Sequence, residues 1–87
     1  SLASLIERLK ASRLLSAEQF DQACRLLDND SAADHGALRL VKAELITRWQ
    51  ARQLLTTDKP KFFIGQYRLQ KEIGRGSMGV VYRAFHL

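Results

Sequence analysis

Apolar residues in the first part of the chain recur at the three- and four-residue spacing of one face of an α-helix. A first helix over about residues 2–11 is predicted by four of them: Leu2, Leu5, Ile6 and Leu9. A second helix, ending near residue 28, is predicted by a set that includes the single cysteine: Phe20, Ala23, Cys24 and Leu27. We expect both sets of side chains, with Cys24 among them, to pack inward.

Two short segments have the pattern of a capping box, in which a hydroxyl residue and a glutamine three positions later exchange hydrogen bonds at the start of a helix. Ser16 and Gln19 form the first pair, and Thr47 and Gln50 form the second. The residues around the two pairs align as a weak internal repeat, which hints at two related helical hairpins.

The second box predicts a fourth short helix over about residues 48–55, with its apolar contacts from Trp49, Leu54 and Leu55. A third helix is expected between residue 31 and that box. Its inward side chains are predicted to be Ala37, Leu38, Val41 and Leu45. Gly36 weakens that helix by roughly 1 kcal/mol relative to alanine.

The segment 56–61 contains no apolar side chain and the only proline, so it breaks the helix. After it the apolar period changes to two, and two strands flank the glycines of residues 74–79. The predicted fold class is therefore α+β: a small, mostly helical module of about four short helices, followed by a β-hairpin. The predicted divisions are a helical accessory module over 1–57, a linker over 58–65 and a hairpin unit over 66–87.

The charge of the chain is concentrated near its C-terminus. Residues 1–58 hold eight basic and eight acidic side chains, whereas residues 59–87 hold six basic side chains and one acidic one, which accounts for the net charge of +5. This asymmetry is typical either of a segment with an anionic partner or of a solvated basic surface that further chain neutralises. A single cysteine excludes an internal disulfide, and no apolar run is long enough to span a membrane, so we expect a cytoplasmic protein.

The hairpin carries a glycine pattern that can bind phosphate. Residues 73–81 read Ile-Gly-Arg-Gly-Ser-Met-Gly-Val-Val and satisfy G-x-G-x-x-G-x-V. Glycines let the backbone approach a ligand closely, and the N–H groups of Ser77, Met78 and Gly79 can then face phosphate oxygens. Dinucleotide-binding folds use the same glycine spacing, but there the glycines open a helix, whereas the residues after Gly79 favour a strand.

Together with Tyr67-Arg68-Leu69 before it and Val81-Tyr82-Arg83-Ala84 after it, this segment resembles the opening of bacterial eukaryotic-like serine/threonine protein kinases. The resemblance covers residues 66–87. It implies that Ile73 and Val81 close over the adenine of ATP. It also implies that the residues of the loop form the flap over the phosphates: Gly74, Arg75, Gly76, Ser77, Met78 and Gly79.

The same resemblance implies that the chain is a piece of a longer kinase. The lysine that pairs with the nucleotide phosphates, the catalytic aspartate and the magnesium-binding aspartate would all follow Leu87. We therefore expect no catalytic residue within these 87 residues. ATP with Mg²⁺ would be the cofactor of the longer protein, and its substrate would be a protein. A metal site at Asp28, Asp30 and Asp34 is not expected, because the glycine and the terminal glutamate of a calcium loop are missing.

The helical part resembles N-terminal extensions of some of these kinases, which implies an accessory or regulatory role, with a protein partner or the kinase lobe as its binding target. The alternative is a protein-interaction module in which the glycine loop has no nucleotide function. A third interpretation, a DNA-binding helix-turn-helix over the third and fourth helices, is disfavoured by the zero net charge of residues 1–58. We expect no nucleic-acid partner.

Overall fold

The structure is a computed structural model that describes residues 2–27 and 33–87. Four helices precede a small sheet: α1 (Leu2–Ser12), α2 (Ala17–Leu26), α3 (Ala33–Lys42) and α4 (Arg48–Thr56). The sheet contains β1 (Phe63–Ile64), β2 (Tyr67–Gly76) and β3 (Gly79–His86). The predicted α+β class, with four helices followed by a hairpin, is confirmed. Asp28 and Asp30, considered above for a metal site, lie outside the described residues.

Both capping boxes form as predicted. The Ser16 hydroxyl accepts a hydrogen bond from the Gln19 backbone N–H, and the Gln19 side chain accepts one from the Ser16 N–H. Thr47 and Gln50 make the same two bonds at the start of α4. Each reciprocal pair satisfies two of the backbone donors that the first turn of a helix leaves without partners.

The internal repeat extends beyond the boxes to whole helical hairpins. Residues 31 positions apart begin α1 and α3 (Leu2 and Ala33) and also begin α2 and α4 (Ala17 and Arg48). A residue just beyond each leading helix has a left-handed backbone, with φ of 60° at Arg13, the first residue after α1, and 61° at Glu44, the second after α3. The chain therefore uses one local design twice: a helix, a left-handed residue, two apolar residues and a capped second helix.

The two hairpins pack around one apolar core. Its most completely buried large side chains come from α1, α3 and α4: Leu5, Leu9, Leu40 and Leu54. Gly36 allows this packing, because a β-carbon there would lie 2.8 Å from the Leu27 side chain and 3.1 Å from that of Leu2. The glycine that weakens α3 locally thus permits close approach of α1 and of the end of α2.

The prediction that side chains pack inward is wrong for three residues. Cys24 is exposed, because the buried face of α2 runs through Ala23 and Leu27, and Cys24 points about 100° away from Ala23. Leu38 and Leu55 are 45% and 36% exposed, since α3 and α4 bury neighbouring positions instead. These two leucines border a groove between their helices.

The sheet is antiparallel with strand order β1-β2-β3. The segment assigned to the linker contains β1, which pairs with the start of β2 through a tight turn at Gly65, whose φ is +58°. Phe62, just before β1, is 3% exposed and belongs to the helical core. The β2–β3 pairing has two register irregularities, one between Leu69 and Lys71 and one between Glu72 and Gly74.

The N-terminus of α4 holds the sheet against the helices. The Gln50 side-chain amide donates a hydrogen bond of 2.8 Å to the Leu69 carbonyl, and the Thr47 hydroxyl donates one to the Gln70 carbonyl. Trp49 packs edge-on against Phe62 and Tyr82, with ring centroids 6.0 and 5.6 Å apart. The predicted packing role of Trp49 is consistent with these contacts, and the second capping box also anchors β2.

This difference between the two boxes predicts different costs for removing their hydroxyls. Ser16→Ala should lower the free energy of unfolding by about 0.5–1 kcal/mol, through loss of the cap alone. Thr47→Ala should lower it by about 2 kcal/mol, because the donor to the Gln70 carbonyl is lost as well. Urea unfolding followed by circular dichroism measures both.

Thr47→Ser is the matched control, since it keeps the hydroxyl and should remain close to wild type. Equal losses for Ser16→Ala and Thr47→Ala would contradict the anchoring role of the second box.

Candidate functional site

The glycine motif occupies the free end of the β2–β3 hairpin. The ladder closes at the pair Gly76 and Gly79, and Ser77 and Met78 form the turn between them. Met78 is fully exposed at the tip. Within the described residues, no backbone hydrogen bond uses the N–H of Ser77 or Met78, so both donors are available to a ligand.

Of the three motif glycines, only Gly79 has a backbone conformation that favours glycine. Gly79 has φ of +121°, a region that other residues rarely adopt, and it provides the reversal of the chain at the tip. Gly74 and Gly76 do not have a positive φ, and a β-carbon on either would meet no atom of the chain within 4 Å. The fold therefore does not require glycine at these two positions, whereas the close approach of a ligand would.

The two residues that the resemblance places over adenine are both exposed. Ile73 and Val81 each have 58% of their surface accessible, and Gly74 is the strand partner of Val81. Tyr82 contacts Trp49, so the alternation of a strand directs Val81 away from α4. The hairpin thus presents two branched apolar side chains on accessible surface next to the glycine tip.

Arg75 is held by its own strand. Its guanidinium donates to the Glu72 carboxylate at 2.9 Å, and this bond holds the pKa of Glu72 below its usual value. The same pairing raises the pKa of Arg75. Arg75 therefore remains a cation at the edge of the loop, oriented by Glu72 and directed along β2.

The base of the hairpin is fixed while its end is free. Leu69 is 3% exposed, and its carbonyl is bonded to Gln50 in α4, whereas the residues from Arg75 to Gly79 are all exposed. Sequence reasoning found the loop but missed this anchor. The only available signal was that the second capping box begins Thr47-Arg48-Trp49, with an aromatic residue where the first box has Glu18.

The remaining candidate chemistry is limited. Within residues 2–27 and 33–87, no three histidine, cysteine, aspartate or glutamate side chains come together in a way that could hold a metal ion. In the same part of the chain, no helix is long and apolar enough to cross a lipid bilayer.

The open space around Gly76 leads to a stability prediction that tests whether the fold itself requires glycine at this position. Gly76→Ala should leave the free energy of unfolding unchanged or raise it by up to about 1 kcal/mol, because alanine restricts the unfolded chain and meets no neighbour. Gly79→Ala should lower it by about 1–3 kcal/mol, since alanine is strained at a φ of +121°.

Urea unfolding of the two variants beside wild type measures this contrast. Similar destabilisation by both substitutions would mean that the fold itself needs glycine at position 76, and Gly76 would then give no indication of a ligand.

The chain was compared with protein-family models, with curated proteins and with solved structures, and none of them matches it.

Proposed function

We propose that residues 67–86 form the nucleotide-binding flap of a serine/threonine protein kinase, and that the helices before it form an accessory module that positions this flap. The observation that carries the proposal is the arrangement strand, glycine turn, strand, with the three glycines of G-x-G-x-x-G-x-V at the free end of the hairpin. In a dinucleotide-binding fold a helix would follow the glycines, and here β3 follows them instead.

The accessible tip of the hairpin supports the proposal that the glycine loop binds the phosphates of ATP. The unused N–H groups of Ser77 and Met78 would donate to phosphate oxygens of ATP, and Gly76 would leave room for those oxygens. Ile73 and Val81 would cover the adenine from one side. When bound, ATP with Mg²⁺ would supply the transferable phosphoryl group, and the residues of this chain would bind and orient it.

The anchored base supports the role of the helices. A two-stranded ribbon alone is marginal in water, so the hairpin depends on its contacts with α4 to keep one conformation. Gln50 and Trp49 supply these contacts at Leu69 and Tyr82. We infer that the helical module sets the orientation of the flap, while the exposed tip stays free to move over a nucleotide.

The test uses a longer protein in which residues 1–87 are followed by the rest of the kinase domain. Gly76→Val should lower kcat/KM for ATP on the order of a hundredfold, because a branched side chain displaces the backbone from the phosphates by about 1 Å. Val81→Asp should raise KM for ATP, since an unpaired carboxylate would face the adenine. Steady-state kinetics with varied ATP measures both.

Ser77→Ala is the matched control at the same loop, because the proposed contact uses its backbone N–H and survives the change. It should keep kcat/KM within a few-fold of wild type. If Gly76→Val retained the wild-type kcat/KM for ATP, the assignment of the flap would have to be withdrawn. A protein that folds and lacks all phosphotransfer to serine or threonine would contradict the kinase proposal itself.

A further inference from the structure

An open apolar groove lies between α3 and α4. Its volume is about 480 Å³. Its apolar lining comes from both helices: Ala37, Leu38, Val41, Ala51 and Leu55. Leu38 is 45% and Leu55 36% exposed, so each leaves part of a large apolar side chain in contact with water. Burial of such surface is the main driving force for association.

Basic side chains border this groove. Arg48 and Arg52 line it one helical turn apart on α4. Both also line a neighbouring pocket of about 270 Å³, to which β2 contributes Lys71 and Glu72. Among the described residues, neither arginine forms a salt bridge, nor does Lys71, whereas Glu72 is bonded to Arg75. The groove therefore continues into a patch of three unpaired cations.

The internal repeat provides a comparison within the same molecule. The corresponding groove between α1 and α2 has a volume of only about 230 Å³. Four equivalent positions line both grooves, and from the first to the second they change Lys10 to Val41, Ala17 to Arg48, Phe20 to Ala51 and Asp21 to Arg52. In the first hairpin the Phe20 ring packs partly buried against the core. In the second hairpin the equivalent residue is Ala51, which is buried at the floor of the groove, and the exposed apolar surface is that of Leu38 and Leu55.

These differences between the two hairpins indicate which ligand would suit the second groove. The second hairpin has alanine where the first has the Phe20 ring, and it has two arginines where the first has Ala17 and Asp21. A ligand that replaces the ring needs a bulky apolar side chain, and one that satisfies the arginines needs carboxylates. A groove between two helices is a shape that an amphipathic helix fills with its apolar face.

We propose that the groove between α3 and α4 binds an amphipathic helix of a partner protein, with an aromatic or leucine side chain against Leu38 and Leu55 and acidic residues facing Arg48, Arg52 and Lys71. The apolar contact supplies affinity, and the charges select acidic helices over basic ones. This surface lies on α3, α4 and Lys71 of β2 and uses none of the glycine-loop residues, so the inference does not depend on the nucleotide function.

The probe is a synthetic amphipathic helical peptide with phenylalanine and leucine on one face and glutamates beside it. A second peptide replaces the glutamates with lysines, and a third replaces the apolar residues with alanine. Titration of the isotope-labelled 87-residue chain by NMR should shift the amides of α3, of α4 and of β2 around Lys71 with the acidic peptide. The acidic peptide should bind at least about tenfold more tightly than either of the others.

Two variants test the parts of the surface separately. Arg48→Glu combined with Arg52→Glu should reverse the preference, so that the lysine peptide binds more tightly than the glutamate peptide. Leu38→Gln should weaken binding of the acidic peptide about tenfold without unfolding the chain, because its side chain is already exposed. Arg25→Glu, a charge reversal at an exposed position of α2, is the matched control and should bind like wild type.

Three outcomes would overturn the proposal. The first is equal affinity for the acidic and lysine peptides, and the second is a set of shifted amides that lies away from α3, α4 and the part of β2 around Lys71. The third is tighter binding of a DNA duplex that depends on Arg48 and Arg52 but not on Leu38, which would make the surface a nucleic-acid site. Circular dichroism of each variant confirms that the fold is retained before affinities are compared.

Discussion

The buried side chain of Gln50 joins the helices to the sheet. It is only 4% exposed, yet both ends of its amide have partners: its oxygen accepts from the Thr47 N–H at 2.9 Å and its nitrogen donates to the Leu69 carbonyl at 2.8 Å. A buried polar group without a partner would cost about 1–3 kcal/mol. The packing of α4 against β2 is therefore stable only when this geometry is complete.

The consequences of this bond extend in two directions. Toward the helices, the amide completes the capping box of α4, so the start of that helix and the position of β2 depend on the same side chain. Toward the sheet, it fixes the base of the hairpin beside the contact of Trp49 with Tyr82, about 5.6 Å between ring centroids. The glycine tip lies beyond these contacts, so the fold supports a fixed base with a free end.

Local signals in the sequence predicted the local structure well. The two capping boxes, the four helices and the glycine hairpin follow from short patterns, because caps and turns are determined by residues within a few positions of one another. Non-local packing was harder to predict. Leu38 and Leu40 both suit an apolar face, and Leu40 is buried because Gly36 brings α3 close to α1, a contact that periodicity alone cannot specify.

In the candidate site, too, the local features could be predicted from the sequence and the non-local contacts could not. The motif residues from Ile73 to Val81 could be named from the sequence, since their spacing is a local property. The anchor of the hairpin could not be predicted from the sequence. The hydrogen bond from Gln50 to Leu69 joins residues on different elements, and the two capping boxes look alike in the sequence. The short strand β1 was also missed, since two residues in a segment beside the only proline carry too little pattern to predict pairing.

Hydrogen exchange of Gln50→Ala, compared with the equivalent Gln19→Ala in the exposed first box, tests the central claim most directly. Loss of the Gln50 amide should lower the protection of β2 and β3 amides about ten- to a hundredfold, and more than that of α1 and α2. Gln19→Ala should affect only the start of α2. Unchanged protection of the hairpin in Gln50→Ala, or an equal loss over the whole chain, would contradict the account.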